Sequence, residues 1–372
     1  MNSTVMNKKK ICWVSAASFI DVDIPFIPDL LRWFDIEWIV IPGRYTNSFF
    51  DEMETKYDGL TIHKVNFTHR ARDPRSVLDY LAIGRIVKTV NADLNYIDLV
   101  PNNPWCLPFY CSLPSEKTIF CAHDGSVTPS MKYPILCKLG FYIGFGHAKY
   151  INMFSPSQAR LLAKNYPDHQ ITIIPLALKD FGVPTVEQRK DSVVFLYFGA
   201  IHSDKNIELL IEATNQLVEE GVNGFKVSIN GKWRLSWNVY SKIRHSEVFE
   251  LNLRMIENEE IPNIFASCHY VVYPYKCMSQ SGALKVAYNY NRPVIASNLQ
   301  GFVDEVKEGV DGFLFESDNV DDLKRVMKQC INRSKSEYDK LLDRMKEDVT
   351  ESYDHKVILR KYLDMFKIVL KI

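Results

Sequence analysis

Short apolar runs alternate with helix-length segments along this 372-residue chain, and no other feature of the sequence limits the fold as much. Runs such as Ile11–Ser15, Leu94–Ile97 and Tyr150–Phe154 are too short for core helices and are typical of buried strands. Successive strands separated by helices form βαβ units, which place their strands in a parallel sheet. The pattern therefore predicts an α/β protein whose helices cover parallel sheets.

The alternation stops once, in a polar stretch around Glu187–Asp191, and starts again at Val193–Phe198. We therefore predict an N-terminal Rossmann-like domain over residues 1–178, a linker over 179–192 and a second Rossmann-like domain over 193–350. Residues 351–372 are predicted to form a C-terminal helix, and one placement for it is against the N-terminal domain. We expect the two domains to face a central cleft, because ligands of parallel sheets bind beyond the carboxyl ends of the strands.

The composition excludes several classes of protein. Lys+Arg and Asp+Glu are equal at 45 each, so no overall charge attracts nucleic acid, and we expect no nucleic-acid partner. The eight cysteines stand singly, without the spacing of a zinc site, which favours a reduced, cytoplasmic chain without a bound metal. The apolar run after Lys8–Lys10 is followed at once by Asp21 and Asp23, which favours a first buried strand over a secretory signal.

Two loops of the second domain have the composition of phosphate-binding loops. The first carries Gly199 after a strand and Lys205 just before a helix. Glycine allows a ligand to approach the backbone, and a helix N-terminus with a lysine attracts anions. The second loop, Gln280-Ser281-Gly282, opens another helix with small residues and free amides. A strand-end glycine, a solvated lysine and ordinary helix capping explain each loop alone, but together the loops could hold a diphosphate.

At this point the residues resemble a known family. The motifs closely resemble those of retaining GT-B glycosyltransferases of the glycosyl transferases group 1 family, which includes sucrose synthase and phosphatidylinositol mannosyltransferases. The resemblance follows the whole chain in order and is strongest over residues 193–316. It rests on these segments: 122–124, 154–158, 173–175, 199–213, 291–297 and 305–312.

The resemblance implies a nucleoside diphosphate sugar as donor and no other cofactor or metal. Gly199, Lys205, Gln280, Ser281 and Gly282 would contact the donor, and Lys205 would balance the charge of the leaving diphosphate. His123 would face the donor sugar as a second catalytic residue, although a satisfied loop histidine is the alternative.

The chain also departs from the family pattern. Aligned on Pro293–Ser297, the two glutamates that the family uses for sugar and ribose contacts are replaced by Met278 and Val286. An arginine common after the loop glycine is Ala200 here. These losses leave open a second function, a non-catalytic pseudo-transferase of the same fold that binds or scaffolds.

Three further segments carry charged or aromatic patterns. Asp21 and Asp23 form an Asp-x-Asp pattern, for which we expect a helix-capping or acceptor-facing role rather than metal binding. The stretch 131–149 interleaves aromatics with lysines, which suits a surface helix touching anionic lipid, or equally a core helix with solvated lysines. A basic segment containing Arg70, Arg72, Arg75, Arg85 and Lys88 lies in the same domain.

The resemblance thus implies a metal-independent, hexosyltransferase-like enzyme of polysaccharide or glycoconjugate synthesis. Such an enzyme would move a sugar to a glycan or lipid-linked acceptor with retention. We expect it in the cytoplasm, with a peripheral contact to the inner membrane surface as a further expectation.

Overall fold

The computed structural model describes residues 8–43, 45–70, 73–101, 103–127, 134–278 and 281–372. The chain forms two compact units. Unit 1 comprises residues up to Pro175 together with His355–Ile372, and unit 2 comprises Leu176–Asp354. The C-terminal helix therefore belongs to unit 1. The stretch 179–192 belongs to unit 2, where the Gln188 side-chain amide donates to the Cys268 carbonyl at 2.9 Å.

Unit 1 is built on a seven-stranded parallel sheet in the order β3-β2-β1-β4-β5-β6-β7. Its strands are β1 (Lys9–Ser15), β2 (Phe34–Val40), β3 (Leu60–Lys64), β4 (Leu94–Asp98), β5 (Thr118–Ala122), β6 (Tyr150–Met153) and β7 (Gln170–Ile173). Its first helices are α1 (Ile20–Asp23), α2 (Ile27–Leu30), α3 (Asn47–Lys56), α4 (Ser76–Val90), α5 (Leu107–Ser112), α6 (Pro134–Gly146) and α7 (Pro156–Asn165).

Unit 2 is built on a six-stranded parallel sheet in the order β10-β9-β8-β11-β12-β13. Its strands are β8 (Val193–Phe198), β9 (Phe225–Asn230), β10 (Phe249–Asn252), β11 (Tyr270–Tyr273), β12 (Val294–Ser297) and β13 (Gly312–Phe315). The remaining helices are α8 (Ile207–Glu219), α9 (Ile261–Ser267), α10 (Gly282–Asn289), α11 (Gln300–Val303), α12 (Val320–Ile331), α13 (Lys335–Tyr353) and, in unit 1, α14 (His355–Leu370).

These sheets confirm the predicted α/β class with two Rossmann-like domains. Every apolar run predicted as a strand overlaps a strand of the structure. The edge strand β10 is short, because only Phe249–Asn252 pairs with β9. The C-terminal helix predicted over 351–372 begins at His355, after α13 ends at Tyr353.

Aromatic packing attaches α14 to unit 1. The ring of Tyr362 lies 5.0 Å from that of Phe26 and 5.9 Å from that of Trp13, measured between centroids. Phe366 packs against Trp13 in an edge-on arrangement at 6.0 Å. Aromatic pairs at these separations add to the free energy of burial, so the apolar face of α14 completes the core on one side of the sheet.

Two glycines let β8 and β9 run side by side past their last paired residues. Gly231 has φ +150°, and a Cβ atom there would lie 1.8 Å from the carbonyl oxygen of Gly199. Both the positive φ and the close backbone approach require glycine at position 231.

We predict that Gly231→Ala destabilises the protein by about 1–3 kcal/mol, because the new methyl group forces the two loop backbones apart. The control is Gly221→Ala, at φ +79° with no atom within 4 Å of the added Cβ, which carries only the backbone strain. Urea unfolding of both variants is the measurement. Equal midpoints would contradict the proposed contact.

Candidate functional site

The loops that follow β8, β11 and β13 meet at the carboxyl edge of the unit 2 sheet. The backbone N–H of Lys276, after β11, donates to the carbonyl of Asp204, after β8, at 2.8 Å. The side-chain amide of Asn206 donates to Asp318, after β13, at 2.9 Å. Since these loops precede helices, their joining gathers helix N-termini on one edge, where an anion is favoured.

Lys205 lies at the centre of this edge. Its Nζ is 3.9 Å from the centroid of the Tyr275 ring, which stabilises the ammonium group by a cation–π contact. A carboxylate oxygen of Asp204 is 3.2 Å from the same nitrogen. The side chain is 25% exposed, so the charge is held near the loops and not extended into solvent. The contact with Tyr275 could not be predicted from the sequence around Lys205, because the tyrosine lies on a different loop.

Gly199 packs against the backbone of Gly231 on one side, but the side on which a side chain would project is open. Its φ is +134°, a conformation that favours glycine, and a Cβ built there would meet no atom within 4 Å. Gly199 therefore leaves space beside the loop, as a closely bound ligand requires.

The start of α10 contains the second predicted loop. Ser281 is buried and caps the helix, since its hydroxyl accepts the N–H of Leu284 at 3.3 Å. Gly282 begins the helix, and a Cβ there would lie 3.3 Å from the Nζ of Lys179. Gln280, also predicted as a donor contact, lies outside the described residues.

Lys179 is a basic residue that the sequence analysis missed. It lies in the stretch predicted as a linker, and its backbone N–H donates to the carbonyl of Lys285 at 3.4 Å. The approach of its ammonium group to Gly282 places a second positive charge at a helix N-terminus. No sequence signal marks it, because the contact joins residues about a hundred positions apart.

The positions aligned with the family glutamates carry apolar side chains that pack inward. Val286 is buried in the core of unit 2, and Met278 packs against that core. One buried carboxylate, that of Glu305, contacts α10 and forms an ion pair with Lys285. This carboxylate is held by an internal cation and does not replace the missing glutamates at their positions.

In unit 1, His123 follows β5 in a fixed orientation. Its Nε2 lies 2.8 Å from Oδ1 of Asp98, the last residue of β4. Its ring stacks on Phe19 at 3.6 Å between centroids and on Phe154 at 4.5 Å. The side chain is 6% exposed and Asp98 is fully buried. The ring of His123, predicted to be functional, is thus fully packed and has a hydrogen-bond partner. That partner, Asp98, was not predicted from the sequence.

The Asp-x-Asp prediction is wrong for Asp23. This residue is fully buried, and its carboxylate accepts a hydrogen bond from the Ser15 hydroxyl. The N-cap residue of α1 is Phe19 and Asp23 is the last residue of the helix, so Asp23 does not cap its N-terminus. A buried side chain does not face an acceptor. Burial, with a smaller effect of nearby Asp98, raises the pKa of Asp23 well above its usual value. The described residues contain no group of three or more His, Cys, Asp or Glu placed to hold a metal ion.

Sequence comparison finds a family match within unit 2. Residues 192–333 match the family glycosyl transferases group 1. No curated protein matches the chain.

Several solved structures share the whole fold. A glycosyltransferase from Rickettsia africae is 16% identical, with a TM-score of 0.73 over 98% of this chain and 99% of that one. HepE of Anabaena in complex with UDP-glucose is 12% identical, with a TM-score of 0.70 over 97% and 100%. Sucrose-phosphate synthase of Thermosynechococcus elongatus is 12% identical, with a TM-score of 0.73 over 98% and 100%.

At identities of 12–16%, the similarity to these structures shows the fold alone. The family match applies to residues 192–333. The chain has the GT-B fold, and its residues 192–333 match glycosyl transferases group 1, which together support a GT-B glycosyltransferase.

Proposed function

We propose that this protein transfers a sugar, with retention, from a nucleoside diphosphate sugar to a glycan or lipid-linked acceptor. The observation that carries the proposal is the placement of Lys205, which is held on Tyr275 in the loop that also contains Gly199. Lys179 at the start of α10 adds a second cation for a diphosphate. The HepE structures with UDP and with UDP-glucose support a nucleotide-sugar donor for this fold.

The proposed reaction is a front-side displacement at the anomeric carbon. The bond from the sugar to the diphosphate breaks while the acceptor oxygen bonds to the same face of the sugar. Lys205 and the amides at Ser281 and Gly282 stabilise the negative charge that develops on the leaving phosphate. That phosphate takes the proton of the acceptor hydroxyl, and His123 contacts the donor sugar. A lysine and helix dipoles perform here the charge neutralisation for which other transferases use a metal, so we propose metal-independent, hexosyltransferase-like activity.

A non-catalytic function is the second candidate. The specific observation in its favour is that Met278 and Val286 direct apolar side chains into the core at the two positions where the family carries glutamates. Such a protein would bind the nucleotide portion and lack turnover, acting as a scaffold in polysaccharide synthesis.

We also propose a peripheral contact with the inner membrane surface, within a cytoplasmic location. Ile135, Leu139 and Tyr142 lie on one face of α6 and are 83%, 45% and 71% exposed. Spacings of four and three residues form a continuous helical stripe, and exposed Lys138 adds a positive charge beside it. Met131, Lys132 and Tyr133, from the same predicted segment, lie outside the described residues, as does Arg72. Among the described helices none is long and apolar enough to cross a bilayer.

Replacing Lys205 by alanine should weaken nucleoside diphosphate binding by about 1.5–3 kcal/mol, roughly ten- to hundredfold, because one charge-assisted contact is lost. Calorimetric titration with a panel of nucleoside diphosphates and their sugars, without added metal, measures this. The control is Lys149→Ala. Lys149 immediately precedes β6, lies over the Tyr150 ring and has one carboxylate partner, Glu116. Unchanged affinity in the Lys205 variant would contradict the assignment.

Asp98→Asn tests the role of His123. The carboxylate accepts the Nε2 proton, whereas the asparagine amide can donate to that nitrogen and so reverse the tautomer of the ring. We expect turnover to fall about tenfold or more with donor affinity unchanged, and a changed ring-nitrogen spectrum of His123 in ¹⁵N NMR.

The matched control for that variant is Asp29→Asn, whose carboxylate lies 2.7 Å from Nε2 of half-buried His355. It should leave turnover unchanged. A reversed tautomer at His123 with full turnover would show that Asp98 and His123 serve only the packing of unit 1.

The double variant Leu139→Ser, Tyr142→Ser should reduce co-sedimentation with phosphatidylglycerol-containing vesicles about tenfold, because two exposed apolar anchors are lost. The control is Ile368→Ser, which removes an apolar side chain of similar exposure from α14. Equal losses in both variants, or no sedimentation of the unchanged protein, would rule out α6 as the contact.

A further inference from the structure

A cavity of about 520 Å³ lies at the other edge of the unit 2 sheet, where its strands begin. Val193 is the first residue of β8, Tyr270 is the first of β11, and Gly224 immediately precedes β9; all three line the cavity. The proposed donor loops follow the opposite ends of the same strands. The cavity is therefore separate from the proposed donor site, and its volume is in the range of small-molecule sites.

His269 supplies one hydrogen-bond donor to the cavity lining. Its Nδ1 accepts the backbone N–H of Val194 at 3.1 Å, so the proton of the neutral ring is on Nε2. Burial, together with the positive charges of Arg292 and Arg189, lowers the pKa of His269 to about 4, which keeps the ring neutral. The Nε2–H group of His269 donates no hydrogen bond to another described residue.

Arg333 supplies a positive charge. Its guanidinium carbon is 5.1 Å from the centroid of the Phe313 ring, and no described carboxylate is within ion-pair distance of it. The other basic side chains of the lining each have a carboxylate partner. Those pairs are Arg189 with Asp191 and Glu250, Lys190 with Glu187, and Lys335 with Asp339. Among the described residues of the lining, Arg333 is therefore the basic side chain without an ion-pair partner, and the charge of Glu337 acts on it only from a longer distance.

Two buried polar atoms of the lining are poorly paired. Nε of Arg333 is shielded from solvent and makes no hydrogen bond to a described residue. The Tyr270 hydroxyl is equally shielded, and its only described partner is the thiol of Cys330, a weak hydrogen-bonding group. Buried polar groups in folded proteins are nearly always paired, so unpaired ones beside a cavity indicate where a ligand or water completes the bonding. Around them the walls are formed by the largely apolar faces of Tyr270 and Tyr338, with Cys330.

From this arrangement we infer that the cavity binds a small organic carboxylate. Arg333 and the Nε2–H of His269 hold the carboxylate, and the apolar body of the molecule packs on Tyr270 and Tyr338. One cation without an ion-pair partner matches a monoanion, whereas a phosphate dianion would exceed that charge and leave the apolar walls uncovered. This site is independent of the proposed transferase reaction and remains to be tested even if that reaction is wrong.

The probe for the test is 4-fluorobenzoate, observed by ¹⁹F NMR on the full chain, with 4-fluorobenzyl alcohol as its uncharged counterpart. We expect saturable binding of the acid at least tenfold tighter than that of the alcohol. Inorganic phosphate should displace the acid poorly, and a nucleoside diphosphate should not displace it. Equal affinity for acid and alcohol, or displacement by phosphate at lower concentration than the acid itself binds, would overturn the inference.

Arg333→Gln identifies the residue, because it keeps a planar polar group and removes the charge. It should weaken binding of 4-fluorobenzoate at least tenfold. The control is Arg325→Gln, which removes an exposed arginine of α12 already paired with Asp322 and should leave binding unchanged. Unchanged affinity in the Arg333 variant would also overturn the proposal, and the acid–alcohol comparison on the unchanged protein decides the matter if that variant does not fold.

Discussion

Parallel pairing of every strand in both sheets is the constraint on which the rest of this structure depends. A chain that returns through a helix after each strand places all strand-to-helix loops at the carboxyl edge. In unit 2 this brings Asp204 and Lys276, far apart in the sequence, into backbone contact. The same contact sets the Tyr275 ring under Lys205, so the position of the candidate phosphate-binding cation follows from the topology of the sheet.

A buried ion pair holds α10, the helix that begins at Gly282. Lys285 of α10 and Glu305, just after α11, are both almost fully buried, and the Lys285 ammonium also lies 3.6 Å from the centroid of Tyr353. Burial lowers the pKa of Lys285, while the charge of Glu305 opposes that effect. Removing either partner would leave an unpaired buried charge, so the pair constrains where α10 lies relative to α11 and α13. The N-terminus of α10, with Ser281 and Gly282, is positioned accordingly.

Local patterns in the sequence predict the strands and the architecture of this protein well. Alternating apolar runs identify the strands and the two-sheet architecture, because burial on both faces requires continuous apolar segments. Gly199 and Lys205 were placed in a strand-to-helix loop from glycine and lysine positions alone. The donor contacts predicted for them remain predictions, as do those of Ser281 and Gly282.

Contacts between distant segments could not be predicted in this way. Lys179 beside Gly282 and Asp98 beside His123 depend on which strand ends become neighbours, and the spacing of residues along one chain does not encode this. Asp23 was misjudged because an acidic pair looks exposed in a sequence, whereas the structure buries it against Ser15. No sequence motif marks the cavity at the start of β8 and β11, because its lining comes from separate segments. Which of their charges form ion pairs is decided only by the folded structure.

The central claim is that the edge around Lys205 supports turnover of a nucleoside diphosphate sugar and not only its binding. The most direct measurement is ³¹P NMR of the protein incubated with each sugar nucleotide that it binds, with the donor and the free nucleoside diphosphate observed together. The account predicts slow release of the nucleoside diphosphate by transfer of the sugar to water, and loss of that release in Lys205→Ala. A donor that stays intact while firmly bound would contradict this prediction and favour the non-catalytic alternative.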